Sequence, residues 1–272
     1  MPLKNYLKKI FFRLVYEMGA MYHSFNEVRF MNLGIVTDDE FPLKKDDEKD
    51  RLQIQLYHYS TQKINLENKT ILEIGCGRGG GSYFISEYKN PKKFIGIDIS
   101  KGNIKLCNEN LSNSKRSYLQ ADAENIPFTE NSFDVVLNIE SSHCYPNSER
   151  FLSEANRVLV NDGYFVFCDL GEPKRFKEIE ILFFSLNFSI YYKEDITEKI
   201  VKSLDLDNER KMKYVSKYFG FIRTIAGDLS VVKNSKSYNK LKTGNTVYML
   251  YLLKKNATDF TTQFPKTTSD LL

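Results

Sequence analysis

Glu73-Ile74-Gly75-Cys76-Gly77-Arg78-Gly79-Gly80-Gly81 is the stretch on which the fold turns. It follows a short apolar run, residues 70–75, and opens a segment patterned as a helix over 80–89. Gly75 and Gly77 let the backbone bend sharply and let a ligand lie directly against it. The N–H groups of the helix start then point at that ligand. Gly75, Gly77 and Gly80 also fit the GxGxxG of dinucleotide-binding proteins, a motif that is weak alone. Three acids turn the reading away from it. Glu73 stands two residues before the first glycine, where it suits a cationic amino-acid ligand and would repel a pyrophosphate. Asp98 ends a second strand predicted over 93–98, placed to accept hydrogen bonds from ribose hydroxyls. Asp122-Ala123 follows a third strand over 117–120 and precedes Ile126-Pro127-Phe128. An aspartate there can bind the amino group of an adenine, with Ile99 packing on the ring.

Outward from the loop, strands and helices alternate. Ser100 can cap a helix over 101–111. Further strands are predicted over 133–138, 164–168, 188–192 and 246–253, and a helix over 148–159 carries Phe151, Leu152, Ala155, Val158 and Leu159 on one face. Asn161-Asp162-Gly163 reads as the turn before the fifth strand. Strands that are apolar on both faces imply an α/β fold: a Rossmann-like, seven-stranded, mostly parallel sheet covered by helices on both sides. Residues 1–64 are expected to form an N-terminal helical lid and linker, and 65–194 the core. Residues 195–243 are too long for a plain connection and are expected to form an inserted substrate cap. Residues 244–255 hold the last core strand and 256–272 a loose tail.

Together these residues resemble the class I methyltransferases that depend on S-adenosyl-L-methionine (SAM). The resemblance covers about residues 65–255 and is carried by 73–79, Asp98, Asp122-Ala123-Glu124-Asn125-Ile126-Pro127-Phe128, Ser132-Phe133-Asp134 and Asn161-Asp162-Gly163, the last in place of a frequent Pro-Gly-Gly. It implies SAM as cofactor and S-adenosyl-L-homocysteine (SAH) as product. Glu73, Gly75, Cys76 and Gly77 would border the methionine part, Asp98 the ribose, and Asp122 and Ala123 the adenine. Asn138, at the end of the fourth strand, would join them. Glu124 and Glu130 are expected to be exposed.

The stretch Asn138-Ile139-Glu140-Ser141-Ser142-His143-Cys144-Tyr145-Pro146 leaves the fourth strand at the sheet edge where open α/β folds bind ligands. His143 titrates in the range a general base needs. Asp169, which ends the fifth strand, could orient it. His23 and His58 lack such placement and are expected to be structural. The loop is similar to that of phthiotriolone/phenolphthiotriolone dimycocerosate methyltransferases and of rebeccamycin-type sugar O-methyltransferases. This resemblance implies O-methylation of a lipid or natural-product hydroxyl, with His143 and Asp169 at the matching positions. N- or C-methylation of an amine or sterol, a non-catalytic SAM-binding module and an NAD-dependent oxidoreductase remain alternatives.

The bulk numbers are ordinary for a soluble globular protein. With 42% hydrophobic and 27% charged residues, the chain can bury a core and still carry an ordinary surface. A net charge of +4, spread along the chain, does not imply nucleic-acid binding. The 14% aromatic share, without tryptophan, suits a hydrophobic acceptor as well as a core. Four cysteines without CxxC spacing imply a reducing, cytoplasmic setting and no metal. No window is long and apolar enough for a membrane span, and no signal peptide is expected. Residues 3–22 have the spacing of an amphipathic helix, basic on one side. It is expected to pack over the core, a membrane-surface helix being the less favoured reading.

Overall fold

The structure, a computed structural model, describes residue 17 and residues 28–39, 41–219, 227–228 and 230–257. The amphipathic segment 3–22 lies outside the described residues apart from Glu17, as do His23 and the tail from residue 258 onward.

The strands are β1 (Thr70–Ile74), β2 (Lys93–Asp98), β3 (Arg116–Gln120), β4 (Phe133–Ile139), β5 (Leu159–Gly171), β6 (Phe188–Asp195) and β7 (Val247–Lys255). The longer helices are α1 (Arg51–Thr61), α2 (Gly80–Tyr88), α3 (Lys101–Asn110), α4 (Ser148–Val158), α5 (Pro173–Ser185) and α6 (Thr197–Phe219), with a short α7 (Lys236–Lys242) before β7. The seven strands form one sheet in the order β3-β2-β1-β4-β5-β7-β6. All neighbours are parallel except β7, which runs antiparallel to both β5 and β6. Chain direction reverses away from β1 on both sides, so a crevice opens at the carboxyl ends of β1, β2 and β4.

Strand side chains alternate between faces. Ile71 and Val135 join one apolar layer, and their neighbours Leu72 and Val136 join the other. Both layers are buried, which is why β1 and β4 are apolar at almost every position. One layer packs on α1, α2 and α6 through Leu56, Phe84 and Ile200. The other packs on α4 and α5 through Leu152, Ala155, Ile179 and Phe183.

Two segments differ from the sequence expectation. The run 195–243 does not begin as a cap standing apart from the core. Ile196, Ile200 and Leu204, spaced by one helical turn, lie fully buried in the same layer as β4 and β7. The many lysines of this segment hide a core-facing stripe, so α6 is a covering helix of the sheet at its start. The second difference is β5, which spans both sides of Asn161-Asp162-Gly163. Phe133 pairs with Leu159 but Val135 with Tyr164, so these residues bulge out of a continuous strand, with Asp162 at φ 61°. Asp169 is therefore held inside the strand opposite Met249.

Candidate active site

Strand β1 ends where Gly75 and Cys76 donate their backbone N–H groups to Ile97 O of β2, at 2.8 and 3.0 Å. The chain turns there through Gly75 (φ 76°) and Gly77 (φ 51°) into α2. A side chain on Gly75 would fall closer than 3.0 Å to Ser141 Oγ and Tyr145 OH, so only glycine fits. The loop floors a cavity enclosing about 990 Å³ including its open mouth. Gly75, Cys76, Gly77, Asp98, Ile99, Asp122 and Ala123 all line it. These are the expected cofactor positions in the expected order across β1, β2 and β3.

Asp98 is set by its surroundings. One carboxylate oxygen accepts from Gly77 N at 2.9 Å and the other from Ser100 N at 2.8 Å. Burial nevertheless raises its pKa, with these two bonds pulling the other way. A carboxylate offers about four lone pairs, so oxygens already fixed by backbone can still accept ribose hydroxyls. Ser100 caps α3 by accepting from Asn103 N at 3.1 Å, and Glu17 accepts from Lys101 N and Gly102 N of the same helix start. Asp122 is ordered by a turn in which its Oδ1 accepts from Glu124 N at 3.0 Å. Glu124, expected on the surface, is buried on the cavity wall, where its Oε1 accepts from Asn147 N at 2.9 Å.

Two expected cofactor residues stand behind the wall instead. Glu73 is buried beneath the glycine loop, and its Oε1 accepts from Tyr57 OH at 2.7 Å. Tyr57, not Glu73, reaches the cavity. Burial pushes the Glu73 carboxyl up to about 8 despite that bond. Asn138 is fully buried and donates through Nδ2 to Ile74 O at 2.9 Å and Ser141 Oγ at 2.7 Å, tying the ends of β1 and β4 together. A strand-end side chain turns toward the ligand or toward the neighbouring strand according to the pleat, which spacing alone does not resolve.

A fourth wall was not among the sequence expectations. Arg29, Phe30, Met31 and Asn32 line the cavity. They belong to a strap, residues 28–36, tied down by Ile35 N to Leu52 O at 3.0 Å and by Ser203 Oγ to Leu33 O at 3.1 Å. Phe30 covers Gly80, and Met31 lies against Gly77. The one available signal is the apolar run Phe30-Met31-Asn32-Leu33-Gly34-Ile35-Val36 ahead of the charged linker.

Beyond Glu140, which lines the cavity, lies a polar network. Asp169 is wholly buried; its Oδ1 accepts from His143 Nδ1 at 2.7 Å and Leu170 N at 2.8 Å. Its Oδ2 accepts from His143 N at 2.7 Å, from Ser142 Oγ and from Arg175 Nη2 at 3.3 Å. Burial disfavours the charged imidazolium, but the Asp169 carboxylate outweighs it and holds the His143 pKa well above the usual value. Burial likewise opposes the Asp169 charge, yet His143 and Arg175 together keep its pKa lowered. The pair forms as expected, but neither member is among the residues lining the cofactor cavity. His58 is structural: it stacks on Phe41, ring centroids 4.4 Å apart.

The family model described as a methyltransferase domain matches residues 72–167, from β1 to β5. The phthiotriol/phenolphthiotriol dimycocerosates methyltransferase of Mycobacterium leprae is 31% identical over 234 residues, covering 85% of this chain and 87% of that protein. The chain belongs to the class I SAM-dependent methyltransferases. A fatty-acid O-methyltransferase of Mycolicibacterium smegmatis is 37% identical over 159 residues, 58% of each chain. The crystal structure of geranyl diphosphate C-methyltransferase from Streptomyces coelicolor, containing SAH, shares the fold with a TM-score of 0.64 at 14% identity over 88% of this chain and 98% of that one. The cofactor of this methyltransferase is SAM. The cavity suits it: a glycine floor without side chains, with the half-buried Asp98, Ile99 and Asp122 on its wall. Its four cysteines are buried free thiols. No helix among the described residues is long and apolar enough to cross a membrane.

Proposed function

We propose that this methyltransferase acts on a hydroxyl group of a hydrophobic small molecule, a lipid or a polyketide-derived natural product, in the cytoplasm. Bound SAM supplies an electrophilic methyl on a sulfonium; everything else falls to the chain. Gly75, Cys76 and Gly77 border the methionine part, Asp98 holds the ribose hydroxyls, and Asp122 and Ala123 hold the adenine. The acceptor comes from the side of β4, β5 and β7. A hydroxyl is a weak nucleophile unless its proton is removed during transfer.

The observation that carries the reading is the His143–Asp169 pair. Asp169 accepts a hydrogen bond from Nδ1–H, which leaves Nε2 with the lone pair in the neutral ring. It also steadies the imidazolium formed when a proton arrives. The lipid-directed and O-methylating names of the two curated relatives support the same acceptor class.

The test is turnover on a panel of long-chain alcohols and phenolic lipids. His143→Asn should keep SAH affinity and lower kcat about 10²–10⁴-fold. A variant that binds SAH and turns over at the wild-type rate would remove His143 from the chemistry and favour an amine or carbon acceptor.

A further inference from the structure

Glu140 is the residue at the reacting end of the cavity that proton removal by His143 leaves without a task. It follows β4 directly and sits at φ 51°, a left-handed conformation that costs a non-glycine residue energy and persists only where surrounding structure enforces it. Two donors fix its Oε1: Leu33 N of the strap at 2.8 Å and Tyr248 OH of β7 at 2.6 Å. Both bonds fall on Oε1, and the residue lines the cavity.

The sheet order says which end of the cavity this is. Asp122 follows β3, Asp98 ends β2, and the glycine loop follows β1, so the cofactor runs from adenine toward β4. Glu140 follows β4, the next strand in that order, and is bonded by Tyr248 of β7. His143 is three residues on; its imidazole is 31% exposed, and it is not part of the cavity wall.

We propose that Glu140 is a catalytic residue that touches the acceptor, its Oε2 taking the hydroxyl proton and handing it to the His143–Asp169 pair. This rests on the O-methylation reading above. The acceptor oxygen bonds the methyl carbon as that carbon leaves sulfur, which keeps the bonding pair. The hydroxyl proton passes to Glu140 Oε2, then to Nε2 of neutral His143, and leaves to solvent through the exposed part of the ring. Glu140 is an anion again at the end, and the positive charge lost by the sulfonium has left as a proton. A carboxylate that stayed ionised beside the sulfonium would stabilise the ground state more than the transition state, where that charge is fading. Taking the proton removes that cost. Burial pushes the Glu140 carboxyl up to about 7, a value suited to accepting and releasing a proton near neutrality. The titratable groups facing it are Tyr248 of β7, Lys211 of α6, Tyr57 of α1, Cys168 and Asp169 of β5, and His143.

Glu140→Gln separates this from a purely structural role, because its side-chain oxygen can still accept from Leu33 N and Tyr248 OH. It should bind SAH within about threefold of wild type and lose about 10²–10⁴-fold in kcat. His143→Asn supplies a second readout that needs no change at Glu140. Its residual turnover should still rise with pH as the Glu140 carboxyl, its pKa raised by burial, ionises. A glutamine variant that binds SAH and turns over within threefold of wild type would overturn the proposal. So would a flat pH profile in the asparagine variant. Wild-type enzyme that methylates no hydroxyl on the panel, but does methylate an amine or carbon acceptor, would fail the O-methylation reading itself, and that failure is visible before any variant is made.

Discussion

His143 Nδ1 lies 2.7 Å from Asp169 Oδ1, and the same carboxylate oxygen accepts from Leu170 N at 2.8 Å. The Asp169 side chain is thereby locked to its own strand and cannot turn away from the imidazole. Replacement by asparagine puts an amide donor within reach of Nδ1 and favours the other tautomer. Asp169→Asn should lose about 10²–10⁴-fold in kcat while leaving SAH affinity within a few-fold. Steady-state kinetics beside calorimetric titration checks both halves. Asp169→Ala is a different case, because it leaves Arg175, Ser142 and two backbone N–H groups facing a hole. Breaking a buried charge network in this way costs about 3–5 kcal/mol, read as a lower melting temperature.

The same pair sets the pH response. A base must be neutral to accept a proton, so kcat should rise with pH through an apparent pKa above the ordinary 6.5 of histidine. Stability runs the opposite way. The folded-state pKa of His143 is raised, so its contribution is complete below the unfolded value and fades as pH climbs through the folded one. The Asp169 pKa is lowered, so its contribution is complete above the ordinary carboxylate range and fades as pH falls beneath it. Melting curves across pH should decline on both sides of a plateau, while the activity profile should lack the descending alkaline arm attributable to His143.

Gly75→Ala tests the floor of the cavity. The added methyl would meet Ser141 Oγ and Tyr145 OH in a backbone conformation that side chains rarely adopt. We expect a stability loss of about 1–3 kcal/mol and SAH affinity at least tenfold weaker. Calorimetry on the folded variant reads the second quantity directly. Unchanged affinity would mean that the loop does not carry the cofactor.

Leu204 is fully buried in the layer shared by β4 and β7. Leu204→Ala should cost about 2–5 kcal/mol in a chemical-denaturation experiment. Removal of residues 197–243 should leave an insoluble chain rather than a core without its cap.

Much of the fold was legible because the sheet is buried on both faces. Continuous apolar runs at β1, β4 and β7 stand out against polar turns, and Ser100 marks a helix start by its hydroxyl. Asp98, Asp122 and the glycines were legible for a related reason: strand ends converge on one edge, so chemistry-bearing residues at strand ends converge too. What escaped has equally physical causes. Glu73 and Asn138 lie behind the lining residues Tyr57 and Ser141, to which they bond, because the pleat and the neighbouring strand decide orientation at a strand end. The core stripe of α6 is diluted by lysines, of which Lys202 and Lys213 are exposed. Arg29 and Phe30 reach the site through a strap without regular structure, which leaves no period to read. Glu140 owes its position to a left-handed backbone twist that no residue type signals.

The most direct test is transfer of an isotope-labelled methyl group from SAM to hydroxylated hydrophobic acceptors by the purified wild-type protein, followed by mass spectrometry of the product. The account expects a single methyl on acceptor oxygen, SAH in equal amount, and no transfer with Asp98→Ala at SAM concentrations that saturate the wild type. Transfer that survives loss of the Asp98 carboxylate, or a label found on nitrogen or carbon while every hydroxyl stays unmodified, would contradict it.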